Sequence, residues 1–156
     1  MDHPTPDTPG VIAFPPFIYG IPWLAGLGVH LLFPVHVLPS WPTRALGAAM
    51  IALSVGFIGW ARREMARAGT EPNPAKPATA LVVSGPFRLT RNPMYISLTT
   101  FYLGLSLAVN ALWPLVLLPA VLFVMQRGVV EREERYMERK FGEPYRAYRA
   151  RVRRWL

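Results

Sequence analysis

Residues 95–126, YISLTTFYLGLSLAVNALWPLVLLPAVLFVMQ, contain no charged side chain. Asn110 divides the run into 95–110 and 111–126, each about 24 to 26 Å long as an α-helix at roughly 1.5 Å per residue. A bilayer's hydrocarbon core is about 30 Å thick, and charge-free stretches of this kind are what cross it. The pair reads as a helical hairpin in a membrane, thin or partly re-entrant, with Asn110 at its tight connection. Working outward, 14–40 and 45–61 are equally free of charge. The expectation is an all-α integral membrane protein of about four transmembrane helices, followed by C-terminal cytoplasmic amphipathic helices.

The chain has 156 residues, 52% of them hydrophobic, with 17 Lys and Arg against 9 Asp and Glu for a formal net charge of +8. On a soluble domain that excess would suggest nucleic acid, but its placement points to a membrane. Arg44 lies between the first two spans, whereas the other basic residues fall between Arg62 and Arg91 or after Gln126. By the positive-inside rule both basic regions are cytoplasmic, which requires an even number of spans and puts the hairpins at 38–42 and 109–113 outside. Both termini are then cytoplasmic, the surroundings are membrane lipids, and no nucleic acid is expected as a partner. Asp2, Asp7, Pro15, Pro16 and Pro22 break the pattern of a cleaved signal peptide, so the first span is expected to stay in the mature protein. The chain has no cysteine, which excludes disulfides, zinc thiolates and cysteine nucleophiles.

Three regions follow along the chain. Residues 1–13, rich in Pro, Thr and Asp, read as a flexible tail. Residues 14–68 hold the first two spans, the first of them kinked at Pro22 and Pro34. His30 and His36 would lie about 240° apart on one helix and so cannot share a face as metal ligands; no metal is expected. Gly26, Gly28, Gly56 and Gly59 are small residues of the kind that let membrane helices approach closely. Residues 69–156 begin with a proline-rich loop, GTEPNPAKP at 69–77, and an extended apolar run, TALVVS at 79–84.

Next comes GPFRLTRNPMY at 85–95. Gly85 and Pro86 make a turn, Arg88 and Arg91 stand three apart, Asn92 suits a helix N-cap and Pro93 the first helical position. Two arginines beside a helix start favour an anion. After the fourth span, Val130, Glu134, Met137 and Phe141 share one helical stripe that stops at Gly142, a left-handed cap. A carboxylate in an apolar stripe needs a cation or hydrogen-bond donors, so Glu134 is expected to meet Arg88, Arg91 or a bound ligand. Glu131 and Arg135 look like a surface pair at i, i+4. Tyr145, Tyr148, Val152 and Trp155 follow at helical spacing among arginines, the pattern of a basic amphipathic helix on an anionic membrane surface.

Taken together, GPFRLTRNPMY, the hydrophobic hairpin and EERYMERKFGEPYRAY at 133–148 resemble the isoprenylcysteine carboxyl methyltransferase and phospholipid methyltransferase superfamily of membrane proteins, over residues 79–156. The resemblance implies a cytoplasmic pocket for S-adenosylmethionine, with S-adenosylhomocysteine as product. It also implies a lipid-like or membrane-soluble acceptor: a prenylcysteine carboxylate, a phospholipid amine or a thiol. Position by position it implies Gly85, Pro86, Arg91, Pro93 and Tyr95 from the first motif and Glu133, Glu134, Phe141, Gly142, Tyr145 and Tyr148 from the second. Asn92 stands where the family carries histidine, and Met137 where it carries leucine.

The residue types suit that donor. Glu134 fits its ammonium, Arg91 or Arg88 its carboxylate, and Tyr95 or Tyr145 its sulfonium through cation–π attraction, with Arg91 and Glu134 expected to matter most for catalysis. In-line methyl transfer needs alignment and exclusion of water. A carboxylate acceptor needs no base, whereas an amine or thiol does, for which Glu133 or Glu64 is available. Two other readings stay open from sequence: an NADPH-dependent membrane reductase resembling sterol reductases, and a non-enzymatic membrane scaffold anchored by its basic C-terminal helix. Nothing in the sequence sets the oligomeric state.

Overall fold

The computed structural model describes residues 7–38 and 40–156. Residues 1–6 of the expected tail and Pro39 of the expected outer hairpin lie outside the described residues. The described elements are α1 (Pro15–Leu32), α2 (Ser40–Arg67), a 3₁₀ turn (Gly85–Arg88), α3 (Pro93–Ala108), α4 (Leu112–Met125), a π turn (Gln126–Val130), α5 (Glu131–Phe141) and α6 (Glu143–Arg151). The first four helices form a bundle in which α2 packs along α3 and α1 along α4. Pro15–Leu32, Trp41–Arg67 and the continuous stretch Leu112–Phe141 are long and apolar enough to cross a membrane. The fourth member, α3, has only 16 residues.

The bundle is apolar outside and polar between its helices. Phe17, Ile21, Leu24, Leu31, Leu53 and Phe123 are exposed. Inside, Tyr19 and Thr99 share a hydroxyl bond of 2.9 Å, the Trp23 indole donates to Ser106 Oγ at 3.1 Å, and the Tyr102 hydroxyl donates to the Pro114 carbonyl at 2.6 Å. Lipid tails are as apolar as leucine, so hydrophobic contact does not by itself bring membrane helices together. Close packing and hydrogen bonds do.

Glycines supply the close packing, at Gly26 as expected and at Gly47, but not at Gly28, Gly56 or Gly59. A Cβ on Gly47 would collide with the backbone of Gly104 and Ala108 on α3, and one on Gly26 with the backbone of Pro114 on α4. Around Gly28, Gly56 and Gly59 there is open space, because those faces turn outward. Gly47→Ala is therefore expected to lower stability by about 1–3 kcal/mol, the usual cost of overpacking. Gly56→Ala should be neutral or slightly stabilising, since alanine is the better helix former. Thermal unfolding in one detergent checks the contrast.

At the end of the bundle where α1 leads to α2 and α3 to α4, α1 stops at Leu32 rather than running to residue 40. Phe33 precedes Pro34, whose ring crowds the helical conformation of its neighbour, and Phe33 sits at φ −131°, ψ 81°. Pro34 therefore ends the helix and Pro22 alone of the two lies within it. The chain then folds back, and the His30 and His36 rings come to 5.6 Å of each other, whereas one continuous helix would place them on different faces. Among the described residues no group of three or more His, Cys, Asp or Glu could hold a metal. Asn110, at φ +54°, makes the tight connection. Its side chain accepts from Val37 N at 3.0 Å and donates to the Leu38 carbonyl at 3.0 Å, tying the α1–α2 and α3–α4 connections together.

At the other end, the described part of the expected tail is docked. Ile12 N donates to the Gly128 carbonyl at 3.2 Å, Arg132 donates to the Gly10 carbonyl at 2.8 Å, and the Ile12 side chain fills the space where Gly128 has no Cβ. Gly128 lies in the π turn, whose extra residue opens the notch.

Candidate active site

The 3₁₀ turn is the first piece of the site. Gly85 has φ +55°, and a Cβ there would lie 2.5 Å from Glu64 Cγ, so only glycine fits against α2. Ser84 Oγ donates to Glu64 Oε2 at 2.7 Å and Arg67 to Glu64 Oε1 at 2.6 Å. On the far side the Tyr148 hydroxyl donates to the Phe87 carbonyl at 2.7 Å. The turn is thus held from α2 and from α6. Glu64, considered as a base, is occupied by Ser84 and Arg67, and it does not line the cavity described below.

Beyond the turn the chain meets its own C-terminus. Arg91 N donates to the Arg153 carbonyl at 2.9 Å, and both Thr90 Oγ1 and Asn92 Nδ2 donate to the Arg154 carbonyl at 3.0 Å. Asn92 precedes α3 as expected, but its side chain makes no cap bond, because its amide is committed to Arg154. Asn92→Ala should cost roughly 1 kcal/mol, a typical net hydrogen bond, while Asn92→His, whose ring N–H can reach the same carbonyl, should recover most of it. Melting temperatures of the two variants decide this.

Glu134 is the centre of the arrangement. It is buried at 9% exposure, pairs with Arg91 Nη1 at 3.0 Å, and receives a two-pronged bond from Arg154, Nε at 2.9 Å and Nη2 at 2.6 Å. The expected cation is there in Arg91, and Arg154 adds a second. Arg88 takes no part in this cluster; it is exposed at the end of the 3₁₀ turn. Arg91 also donates weakly to the Tyr145 hydroxyl at 3.5 Å, and its Nε is buried with no partner among the described residues.

A cavity opens beside this cluster, between the 70–82 loop, the start of α3, α5 and α6. Arg91, Asn92, Pro93, Tyr95, Glu133, Glu134, Tyr145 and Tyr148 all line it, whereas Gly85, Pro86 and Arg88 do not. Gly85 and Pro86 shape the turn behind the wall instead. Glu133 accepts the Tyr95 hydroxyl at 2.5 Å, so one of its oxygens is held in place. Burial pushes the phenols of Tyr145 and Tyr148 up, with Glu134 adding to the effect at Tyr145, and both hydroxyls stay protonated at neutral pH. Phe87, Val82 and Met137 supply apolar wall.

Several local expectations change. Glu131 pairs with Arg127 at 3.3 Å and accepts from Gln126 at 3.2 Å rather than meeting Arg135, because α4 runs through the π turn into α5 and brings i−4 into reach. Gly142 has positive φ, +56°, but ψ −126°, an extended reversal and not the left-handed helical cap. The helix α6 stops at Arg151, and its aromatic stripe faces protein: Tyr145 and Tyr148 are buried and Trp155 packs on the bundle core. Sequence reasoning misses Arg154 and Tyr136. A signal for Arg154 is its place beside Trp155, an aromatic that anchors the terminus.

The family model for phospholipid methyltransferases matches residues 42–144. An uncharacterized protein of Haemophilus influenzae is 42% identical over 69 residues, which cover 40% of this chain and 100% of that protein. The family match takes in the 3₁₀ turn, Arg91, Glu133 and Glu134 and ends just before Tyr145.

Proposed function

Because the chain belongs to the phospholipid methyltransferase family, we propose that its cavity binds S-adenosylmethionine and that the protein methylates a lipid-like or membrane-soluble acceptor. The observation that carries this reading is Arg91, whose Nε is a buried donor without a partner among the described residues in the wall of a cavity that also holds Glu133 and Glu134. A zwitterionic amino-acid group suits that set, because its carboxylate gives the guanidinium an acceptor and its ammonium gives the glutamates a donor. A buried donor left unmade is costly, so such a ligand also relieves a cost in the fold.

When bound, S-adenosylmethionine supplies a methyl group on a positively charged sulfur. What the chain contributes is placement. Arg154 and Arg91 fix Glu134, Tyr95 fixes Glu133, and Tyr148 fixes the turn that carries Phe87. Arg91 would hold the ligand's carboxylate and Glu133 or Glu134 its ammonium. The faces of Tyr95 and Tyr145 would favour a cation beside them, and the apolar wall keeps water out, which sharpens each of these interactions. Of the two cavity glutamates on α5, Glu133 is the one that Arg91 and Arg154 leave unpaired, and it is placed to accept a proton from an amine or thiol acceptor.

Orientation follows from charge. The cavity is at the end of the bundle that holds the arginines of 62–91 and of 127–154, and by the positive-inside rule this end faces the cytoplasm. An acceptor dissolved in the bilayer would reach it from the membrane side.

Calorimetric titration of detergent-purified protein tests the assignment. S-adenosylmethionine and S-adenosylhomocysteine should both bind saturably and NADPH should not. Binding of NADPH with no response to the other two would replace the methyltransferase assignment with a reductase.

A further inference from the structure

We infer that residues 7–12 form a strap which, together with the 70–82 loop, closes the donor cavity, and that the Tyr136 hydroxyl is the latch joining the two. The inference rests on the donor-binding reading above.

Three segments that are distant in sequence meet at that one oxygen. Ala78 N of the loop donates to it at 3.0 Å, Lys140 Nζ donates to it at 3.0 Å, and its own proton goes to Asp7 Oδ1 at 3.0 Å. A phenol has one proton and two lone pairs, so each is used. Asp7 is held a second time by Lys140 Nζ at 2.6 Å. Tyr136 itself is buried at 4% exposure, fixed on α5 two residues from Glu134, so its hydroxyl is a rigid post for two otherwise irregular segments.

Both segments close the cavity. Pro9 of the strap, Pro72, Pro74 and Ala78 of the loop, and Tyr136 all stand in its wall. Neither segment belongs to a helix, and outside the latch the strap is held by the bonds at Gly10 and Ile12. Few bonds hold these segments compared with the bundle, which is the character of elements that open locally while the rest stays folded. A charged, two-ended ligand has to enter and its product has to leave past this wall. Breaking the hydroxyl junction uncouples strap from loop without touching Arg91, Glu133 or Glu134, while Arg132 and Gly128 still hold the strap and Thr79 still bonds Thr70 and Gly69. Tyr136 and Asp7 are thus positioning residues for the donor site.

The test uses the full chain in detergent with Tyr136→Phe, Asp7→Asn and the double variant. Asp7 is 60% exposed at its side chain, so its variant does not threaten the fold, and Tyr136→Phe keeps the ring. Stopped-flow release of S-adenosylhomocysteine should be about tenfold faster in Tyr136→Phe, the worth of one to two hydrogen bonds. The double variant should gain less than the sum of the two single effects, because both changes act on one junction and differ only by the Lys140 pair to Asp7. Amide exchange at 7–12 and 76–80 should be slowed by S-adenosylhomocysteine in the wild type and not in Tyr136→Phe, with exchange in the bundle helices alike in both proteins. Wild-type binding with unaltered release in all three variants overturns the latch alone. Wild-type protein that binds neither S-adenosylmethionine nor its product overturns the donor reading, and the latch with it.

Discussion

Glu134→Ala should lose binding of S-adenosylmethionine by a factor of roughly a thousand or more and should also lower stability by about 3–5 kcal/mol, the cost of leaving a buried cation without its partner. Both effects come from one geometry. Glu134 is the shared anion of Arg91 and Arg154, and without it two guanidiniums face each other across the space of a deleted carboxylate. Arg91, with its side chain 10% exposed, cannot turn to water, whereas Arg154 at 36% partly can, so most of the cost falls on Arg91. Loss of Arg154's grip also removes one hold on the segment whose Arg153 and Arg154 carbonyls accept from Arg91 N, Thr90 and Asn92 at the start of α3. Glu134→Gln keeps the shape and one acceptor oxygen and should fall between, at about a hundredfold, given that hydrogen bonds to charged groups contribute roughly 1.5–3 kcal/mol each. Calorimetric titration beside thermal unfolding reads the two effects. A folded Glu134→Ala protein that binds the donor as the wild type does would remove Glu134 from the site.

Much of this arrangement is legible in the amino-acid sequence, and the reasons differ by element. Lipid enforces charge-free runs, so the hairpin at 95–126 and the position of Asn110 can be read directly. A carboxylate on an apolar helical stripe needs a cation or hydrogen-bond donors, and that requirement leads from Glu134 to Arg88, Arg91 or a ligand, among which the fold brings Arg91 to it. Arg154 is hidden because its contact depends on a chain reversal at Val152, which leaves the helix for φ −117°, ψ 129°, and no local pattern encodes the direction of such a reversal. The same ambiguity governs Tyr145 and Tyr148: an aromatic stripe flanked by arginines is the same sequence whether it meets a membrane surface or the protein's own cavity. For the strap, proline-rich composition masks order that comes from Tyr136, Arg132 and Gly128, all more than a hundred residues away. The end of α1 is different. Phe33 before Pro34 is a readable stop, and a helix run through it misplaces His36.

Arg91 variants should separate what Glu134 variants combine. If Arg91 is truncated to alanine, Glu134 keeps the two-pronged bond from Arg154, so no buried carboxylate is stranded and the loss of stability should be well under that of Glu134→Ala. Affinity for the donor should nevertheless fall by roughly a hundred- to a thousandfold, because the unpaired Nε and the charge beside it are gone, and charged hydrogen bonds of this kind contribute about 1.5–3 kcal/mol each. Arg91→Lys isolates the geometry. An ammonium can keep the charge and one bond to Glu134, but it has no second donor fixed in the guanidinium plane. It should retain the fold and still bind S-adenosylmethionine roughly ten- to a hundredfold more weakly, with S-adenosylhomocysteine weakened equally, because the two ligands share the amino-acid group and differ at the sulfur. The matched loss is the discriminating result. If Arg91→Lys weakened only the methyl donor, the guanidinium would be responding to the positive sulfur and not to the carboxylate. If it bound both ligands like the wild type, Arg91 would serve only to neutralise Glu134, and the partner for its buried Nε would have to be sought outside the donor.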